Sequence, residues 1–126
     1  MVLVDSSIWI GYFSKGLYDE LSQLINEDLV VTNDVILSEL IPFLEHANAF
    51  EAVSSLRAFE KIPMSIDWEG IRLLQKLNLE SGINRVGIPD LLILQNVIFN
   101  NLTLWTNDKH FNLMAQNVEL KLFVNK

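Results

Sequence analysis

Short runs of aliphatic and β-branched residues alternate along the chain with longer segments in which apolar residues recur every three or four positions. The short runs have the length and composition of buried strands, and the longer segments have the periodicity of amphipathic helices. Strands are predicted at residues 2–5, 29–32, 62–65, 102–106 and 118–123. Helices are predicted at residues 18–27, 34–45, 49–60, 67–81, 89–100 and 109–115.

This alternation predicts an α/β fold with three α/β/α layers around a central, mainly parallel sheet of four to five strands. The last strand has the pattern of a sheet edge, because charged residues alternate with apolar ones along it. Asn33 is placed to cap the helix that starts at residue 34, and Gly82 to end the one that starts at residue 67. Pro42 predicts that its helix is kinked there or ends early. With no repeat or linker, residues 1–126 are expected to form one domain.

Composition narrows the class of protein. Half of the residues are hydrophobic and the mean hydropathy is +0.27. No apolar stretch approaches the roughly 20 residues that span a bilayer. The first residues lack a basic start and a cleavable apolar segment, so we expect no signal peptide. The absence of cysteine excludes a disulfide framework and a thiolate metal site. A cytoplasmic protein without a membrane partner is therefore expected.

Four acids stand where the surrounding residues predict a core or the end of a core strand. Asp5 and Asp108 follow predicted strands, at the sheet edge where open α/β proteins bind ligands. Glu39 falls within a predicted helix, and helical spacing puts its carboxylate on the apolar stripe. Asp90 opens a helix directly after Pro89. Carboxylates in such surroundings need a compensating cation.

Oxygen donors without cysteine or paired histidine suit Mg²⁺ or Mn²⁺ better than zinc. Such ions activate a bound water and neutralise a leaving oxygen, which serves phosphodiester displacement without a side-chain nucleophile. His46 and His110 are assigned solvent-facing or local hydrogen-bonding roles, with contact to a substrate as the alternative for His110.

Each acid also has a local explanation. Asp5 and Asp108 can cap the helices that follow their strands. Asp90 can interact with a helix dipole, worth roughly 0.3 to 1 kcal/mol. These roles require four separate explanations, whereas one cation site explains all four positions. For Glu39, the alternative is a buried ion pair with an arginine, namely Arg57, Arg72 or Arg85.

The net charge of −7 argues against unaided binding of nucleic acid, since phosphates are bound by lysine and arginine. The four acids supply more than half of that charge, and a bound divalent ion would offset part of it. The nine basic residues are scattered and form no stripe along the sequence.

At these acids the chain resembles the PIN-domain ribonucleases, and within them the VapC toxins of toxin–antitoxin pairs. The resemblance covers essentially the whole length and depends on the order and position of four motifs. The matching segments are VDSSIWI at residues 4–10, SEL at 38–40, PDLLI at 89–93 and LWTNDKHF at 104–111.

The resemblance implies a Mg²⁺-dependent endoribonuclease, with Mn²⁺ as the other candidate ion. It further implies an RNA substrate such as transfer RNA, a homodimer, and a cognate antitoxin through which the toxin meets DNA only indirectly. The implied catalytic and metal-binding acids are Asp5, Glu39, Asp90 and Asp108, supported through hydrogen bonds by Thr106 and Ser6.

The residues leave two other functions open. An acidic-pocket phosphotransfer protein would need a second early acid, but Ser6 and Ser7 follow Asp5 instead. A PIN-like module that binds without catalysis would keep the fold, although retention of all four acids argues against it.

Overall fold

The computed structural model describes residues 1–124, so the last two residues of the predicted domain lie outside the described part. Within it, five strands and seven helices follow one another along the chain. The strands are β1 Val2–Val4, β2 Val30–Thr32, β3 Glu60–Lys61, β4 Thr103–Trp105 and β5 Lys121–Leu122. The helices are α1 Ser6–Lys15, α2 Asp19–Asn26, α3 Asp34–His46, α4 Phe50–Ala58, α5 Trp68–Glu80, α6 Ile88–Phe99 and α7 Lys109–Met114.

The sheet has the order β3-β2-β1-β4-β5, and every neighbouring pair is parallel. Successive side chains of a strand point to opposite faces of the sheet. Val2, Leu3 and Val4 are nevertheless all buried, so helices must cover both faces of the central strand. The predicted α/β/α architecture with a parallel sheet is therefore confirmed.

The chain changes direction across the sheet at β1. It builds outward through β2 and β3 on one side, then returns to place β4 and β5 on the other. Such a switch point leaves a crevice at the carboxyl ends of the two strands that flank it. Here those strands are β1 and β4, so the segments that follow them meet at that edge.

Helix α1 was not among the predicted elements. Its residues are rich in aromatic and β-branched side chains, which have little helical preference. The helix forms because tertiary packing stabilises it, since Ile8 and Trp9 are buried in the core. Gly11 allows a close approach, since a Cβ atom there would lie 2.7 Å from Cε2 of Tyr18.

Strand β3 lies earlier in the chain than predicted. The prediction of a strand at residues 62–65 is wrong, because the paired residues are Glu60 and Lys61. Ile62 still donates one hydrogen bond to the carbonyl of Thr32 at 2.8 Å. Pro63 has no N–H to continue the ladder, so the pairing stops there.

The helix boundaries follow several of the predicted signals. The Asn33 side chain accepts a hydrogen bond from the Ile36 N–H at 2.9 Å and caps α3. Gly82, with a φ of +74°, follows the end of α5. Helix α3 does not end early at Pro42 but continues to His46. The fifth strand lies at the sheet edge, as its pattern predicts.

Two buried asparagines join the helices that carry Glu39 and Asp90. Asn33, at the start of α3, donates to the side-chain oxygen of Asn96 in α6 at 2.9 Å. Asn96 in turn donates to the carbonyl of Pro63 at 3.0 Å. The bridge fixes α3 against α6 from within the core. Among residues 1–124, no helix is long and apolar enough to cross a bilayer.

Candidate functional site

Asp5 lies at the centre of the crevice, directly after β1, and is only 5% exposed. Its Oδ1 accepts the N–H of Ser6 at 2.9 Å. Its Oδ2 accepts the hydroxyls of Ser7 at 3.1 Å and Thr106 at 2.7 Å. Three donors therefore hold this carboxylate in one orientation, and one of them is the local helix contact expected of a cap.

Asp108 is linked to Asp5 through Thr106. The Thr106 hydroxyl, while donating to Asp5, accepts the N–H of Asp108 at 3.0 Å. Oδ1 of Asp108 accepts the N–H of His110 at 2.9 Å and caps α7. The same oxygen lies 3.2 Å from Nδ1 of His110. The capping role and the place beside Asp5 therefore coexist.

Glu39 reaches the crevice from α3, but from a different face than predicted. The expectation that its carboxylate points with the apolar stripe is wrong, because Glu39 is exposed while Ile36 and Leu40 on the same helix are buried. Oε1 of Glu39 lies 3.4 Å from the Ser6 hydroxyl, which also faces Asp5. In the described part of the chain, Glu39 forms no ion pair with an arginine, so that alternative is not realised.

Asp90 enters from the first turn of α6, two residues after its N-terminal residue Ile88, and is half-buried. This is the position that the helix-dipole explanation requires. Asp90 also forms a group with Asp108 and His110, each of which offers a ligand atom within 4.8 Å of the others. A local role and a shared site are again compatible.

Burial, together with repulsion from neighbouring acids, raises the pKa of Asp5, Glu39 and Asp90. Burial raises the pKa of Asp5, against the lowering effect of its hydrogen bonds, and the charge of Asp108 raises it further. Desolvation raises the pKa of Glu39, with added repulsion from Asp5 and Asp90. Desolvation also raises the pKa of Asp90, where Asp108 and Asp5 add repulsion and His110 opposes it. The four carboxylates therefore share one negative field.

Little within residues 1–124 neutralises that field. The ion pairs there are Lys61 with Asp34 and Arg72 with Glu69; the contact of His110 with Asp108 is an ion pair only when the imidazole is protonated. No lysine or arginine of this part of the chain pairs with a site acid. Carboxylate oxygens supplied by separate elements are the donors that Mg²⁺ and Mn²⁺ prefer. The donor set thus fits a hard divalent cation.

Two residues near the acids were missed or assigned lesser roles from the sequence. Ser7 donates to Asp5 and accepts the N–H of Asn107 at 3.1 Å, so it links the two loops of the crevice. His110 makes a local contact of the predicted kind, with Nδ1 at 3.2 Å from Oδ1 of Asp108, but it also lies within the acid cluster, which was not predicted. The sequence feature that could have indicated a place near the acids is the spacing of two residues between Asp108 and His110. Thr106 and Ser6 contact Asp5, and Ser6 also approaches Glu39.

The chain belongs to the PIN domain family, because the model of that family matches residues 2–117. No curated protein matches the chain in sequence.

Several solved structures have a similar fold. One is a chain of VapBC2 from Rickettsia felis, in a structure that also contains a DNA fragment from the VapBC2 promoter. It is 20% identical to this chain, the alignment covers 98% of both chains, and the TM-score is 0.78. A chain of DNA-bound VapBC from Salmonella typhimurium has 14% identity, coverage of 97% of this chain and 96% of that one, and a TM-score of 0.76. VapC20 from Mycobacterium tuberculosis, described as a Sarcin-Ricin loop cleaving toxin, has 14% identity, coverage of 96% and 99%, and a TM-score of 0.58. At these identities the similarity establishes the fold.

Proposed function

We propose that this protein is a divalent-metal-dependent endoribonuclease and the toxin of a toxin–antitoxin pair. The observation that carries the proposal is the convergence of four carboxylates on one crevice, where no lysine or arginine of residues 1–124 forms an ion pair with them. They come from the ends of two strands and from two separate helices, so no single local role explains their meeting. Membership in the PIN domain family supports a nuclease function.

In this proposal the acids divide the work of binding and orientation. Asp5, Asp90 and Asp108 hold the cation, Mg²⁺ or Mn²⁺, and Glu39 binds it or orients the attacking water. When bound, the ion supplies the charge that activates a water and stabilises the leaving oxygen of a phosphodiester. Thr106 and Ser6 keep the Asp5 carboxylate in place, which reduces the rearrangement required on binding.

The surroundings of the site suit a polymer. A groove of about 460 Å³ opens beside Glu39 and is lined mainly by apolar side chains, among them Met64, Ile66 and Leu92. An unpaired base can pack against such a surface while its phosphate approaches the acids. We propose structured RNA as the substrate, with transfer RNA as the first candidate. The similarity of the fold to that of VapC20, a toxin that cleaves the Sarcin-Ricin loop, supports an RNA target.

The proposed protein partners are a cognate antitoxin and a second copy of the chain. Structures of VapBC complexes from several bacteria share this fold, which supports an antitoxin partner. Phe43 and Phe50 are 46% and 58% exposed, an unusual state for large aromatic residues. They provide apolar area for such contacts. The net charge of −7 favours a partner with a basic segment.

The experiment compares RNA cleavage by the wild type with cleavage by Asp5→Asn and Asp90→Asn, in Mg²⁺, in Mn²⁺ and in EDTA. Asp67→Asn is the matched control, because Asp67 caps α5 through Gly70 and is not among the proposed site acids. We expect the two site variants to lose at least a hundredfold in rate and the control to retain it. Cleavage that survives in either site variant or in EDTA would contradict the proposal.

The toxin role has its own test. Induced expression in a bacterial host should arrest growth for the wild type and for Asp67→Asn, but not for Asp90→Asn at equal protein level. Growth arrest by all three proteins would show that toxicity does not depend on the acid site. A metal-binding protein that cleaves no RNA and arrests no growth would instead be a PIN-like binding module.

A further inference from the structure

We propose that His110 is a direct ligand of the cation and gives the site a preference for Mn²⁺ over Mg²⁺. This inference depends on the proposed function, because it assumes that the acid cluster holds a cation. It goes further by adding a nitrogen donor to an otherwise all-oxygen set and by assigning the selectivity to one residue.

The spacing of the donor atoms supports a direct bond. Nδ1 of His110 lies 3.2 Å from Oδ1 of Asp108. In an octahedral site with bonds of about 2.1 Å, neighbouring ligands lie about 3.0 Å apart. The histidine nitrogen and the carboxylate oxygen are therefore already separated almost as two adjacent ligands of one ion. Asp90 offers a third ligand atom within 4.8 Å of both.

The local backbone holds the histidine in this position. His110 is the second residue of α7, and its N–H donates to Oδ1 of Asp108 at 2.9 Å. This bond ties the start of the helix to the same carboxylate that the imidazole faces. His110 is half-buried, with 32% of its side chain exposed, so the ring has fewer orientations than a surface histidine. Asp108 and His110 are thus held beside one another before any ion binds.

A nitrogen donor changes which ion the site prefers. Mg²⁺ strongly favours oxygen ligands and gives up water reluctantly. First-row transition ions accept imidazole more readily, so replacing one oxygen by nitrogen favours Mn²⁺. A histidine that only hydrogen-bonds to Asp108 would orient the carboxylate and support both ions alike. The two roles therefore differ in selectivity as well as in bonding.

The test measures binding of MnCl₂ and MgCl₂ by calorimetry to the full chain, without RNA. The variants are His110→Ala and His110→Gln, and His46→Ala serves as control because His46 is exposed at the end of α3. Pulsed electron paramagnetic resonance of the Mn²⁺-loaded wild type reports directly on imidazole nitrogen bound to the ion.

We expect the wild type to bind Mn²⁺ at least tenfold more tightly than Mg²⁺ and to show imidazole nitrogen coupling. The His110 variants should lose the coupling and about tenfold in Mn²⁺ affinity, with less than a threefold change for Mg²⁺, whereas His46→Ala should match the wild type. If the wild type binds both ions without nitrogen coupling, His110 is not a ligand and the cation site still stands. If the wild type binds neither ion, the proposed function fails as well.

Discussion

Thr106 donates a hydrogen bond from its hydroxyl to Oδ2 of Asp5 at 2.7 Å, across 101 residues of sequence. The bond connects the ends of two adjacent strands, because β1 and β4 are neighbours in the sheet. The same hydroxyl accepts the N–H of Asp108. One small side chain therefore orients the most buried acid of the site and fixes the start of the loop that carries another.

Replacing Thr106 by valine tests this arrangement. The change keeps the shape but leaves Asp5 without its shortest hydrogen bond and the Asp108 N–H without an acceptor. Loss of an orienting partner commonly costs 10- to 100-fold in metal affinity or activity, and we expect a decrease of about that size in both. Calorimetry with Mn²⁺ and an RNA cleavage assay measure it. Thr103→Val in β4 is the control, and equal effects of the two changes would contradict the orienting role.

Repulsion among the acids predicts that one neutral substitution stabilises the metal-free protein. Asp90→Asn removes a charge near Asp108 and Asp5 while an amide oxygen can still accept the backbone hydrogen bond from Gly87. We expect the free energy of unfolding in EDTA to rise, by at most about 1 kcal/mol because solvent screens a half-buried group. Urea denaturation measures the change. Asp67→Asn should not stabilise, because asparagine caps α5 about as well as aspartate does. A loss of up to about 1 kcal/mol in Asp90→Asn would indicate a purely local role at the start of α6.

Burial of Asp90, together with the same repulsion, predicts how stability depends on pH. A carboxyl whose pKa is raised in the folded state binds its proton more tightly when folded, so its contribution to stability grows as the pH falls. For Asp90 this contribution is complete below the ordinary carboxyl pKa of about 4 and is lost as the pH rises through the folded pKa. In EDTA, the advantage of Asp90→Asn over the wild type should therefore shrink as the pH falls from 7 towards the ordinary carboxyl pKa of about 4. Thermal melts across that range check it, and a growing advantage would show the opposite shift.

The buried asparagine bridge predicts a larger loss of stability. Asn96→Ala leaves the buried Asn33 amide without its acceptor, and it also removes the donor to the carbonyl of Pro63, which is exposed and can bond to water instead. One buried unsatisfied group costs about 1 to 3 kcal/mol, so we expect a loss of about that size. Asn100→Ala, at an exposed position just after α6, should cost less than about 1 kcal/mol. Comparable urea midpoints for the two variants would contradict the bridge.

Much of the fold could be predicted from local pattern. The runs at β1, β2 and β4 are short, apolar and buried on both faces, so composition alone marks them as central strands. The edge strand β3 could not be placed, because Glu60 and Lys61 are exposed and their pairing depends on the neighbour rather than on their own side chains. Helix α1 was missed since packing of Ile8 and Trp9 overrides weak helical preference.

The site was predicted to different degrees for different residues. Asp5 and Asp108 follow strands, and the carboxyl ends of parallel strands lie at the same edge of the sheet whatever the conformation of the loops between them. The prediction that Glu39 lies on the buried side of α3 was wrong. Helical spacing shows which residues are neighbours on the helix surface, but it does not show which side of the helix packs on the sheet. His110 was undervalued, since its meeting with Asp90 depends on how α6 and α7 approach one another. No spacing within either segment contains that information.

The proposed function requires that Asp5, Asp90 and Asp108, with Glu39, hold a divalent cation in the crevice beside β1 and β4. Crystals grown with Mn²⁺ and measured by anomalous diffraction test this requirement most directly. We predict one or two anomalous peaks, each within about 2.5 Å of carboxylate oxygens of Asp5, Asp90 or Asp108. Peaks only elsewhere, or none in crystals of protein that cleaves RNA with Mn²⁺, would contradict it.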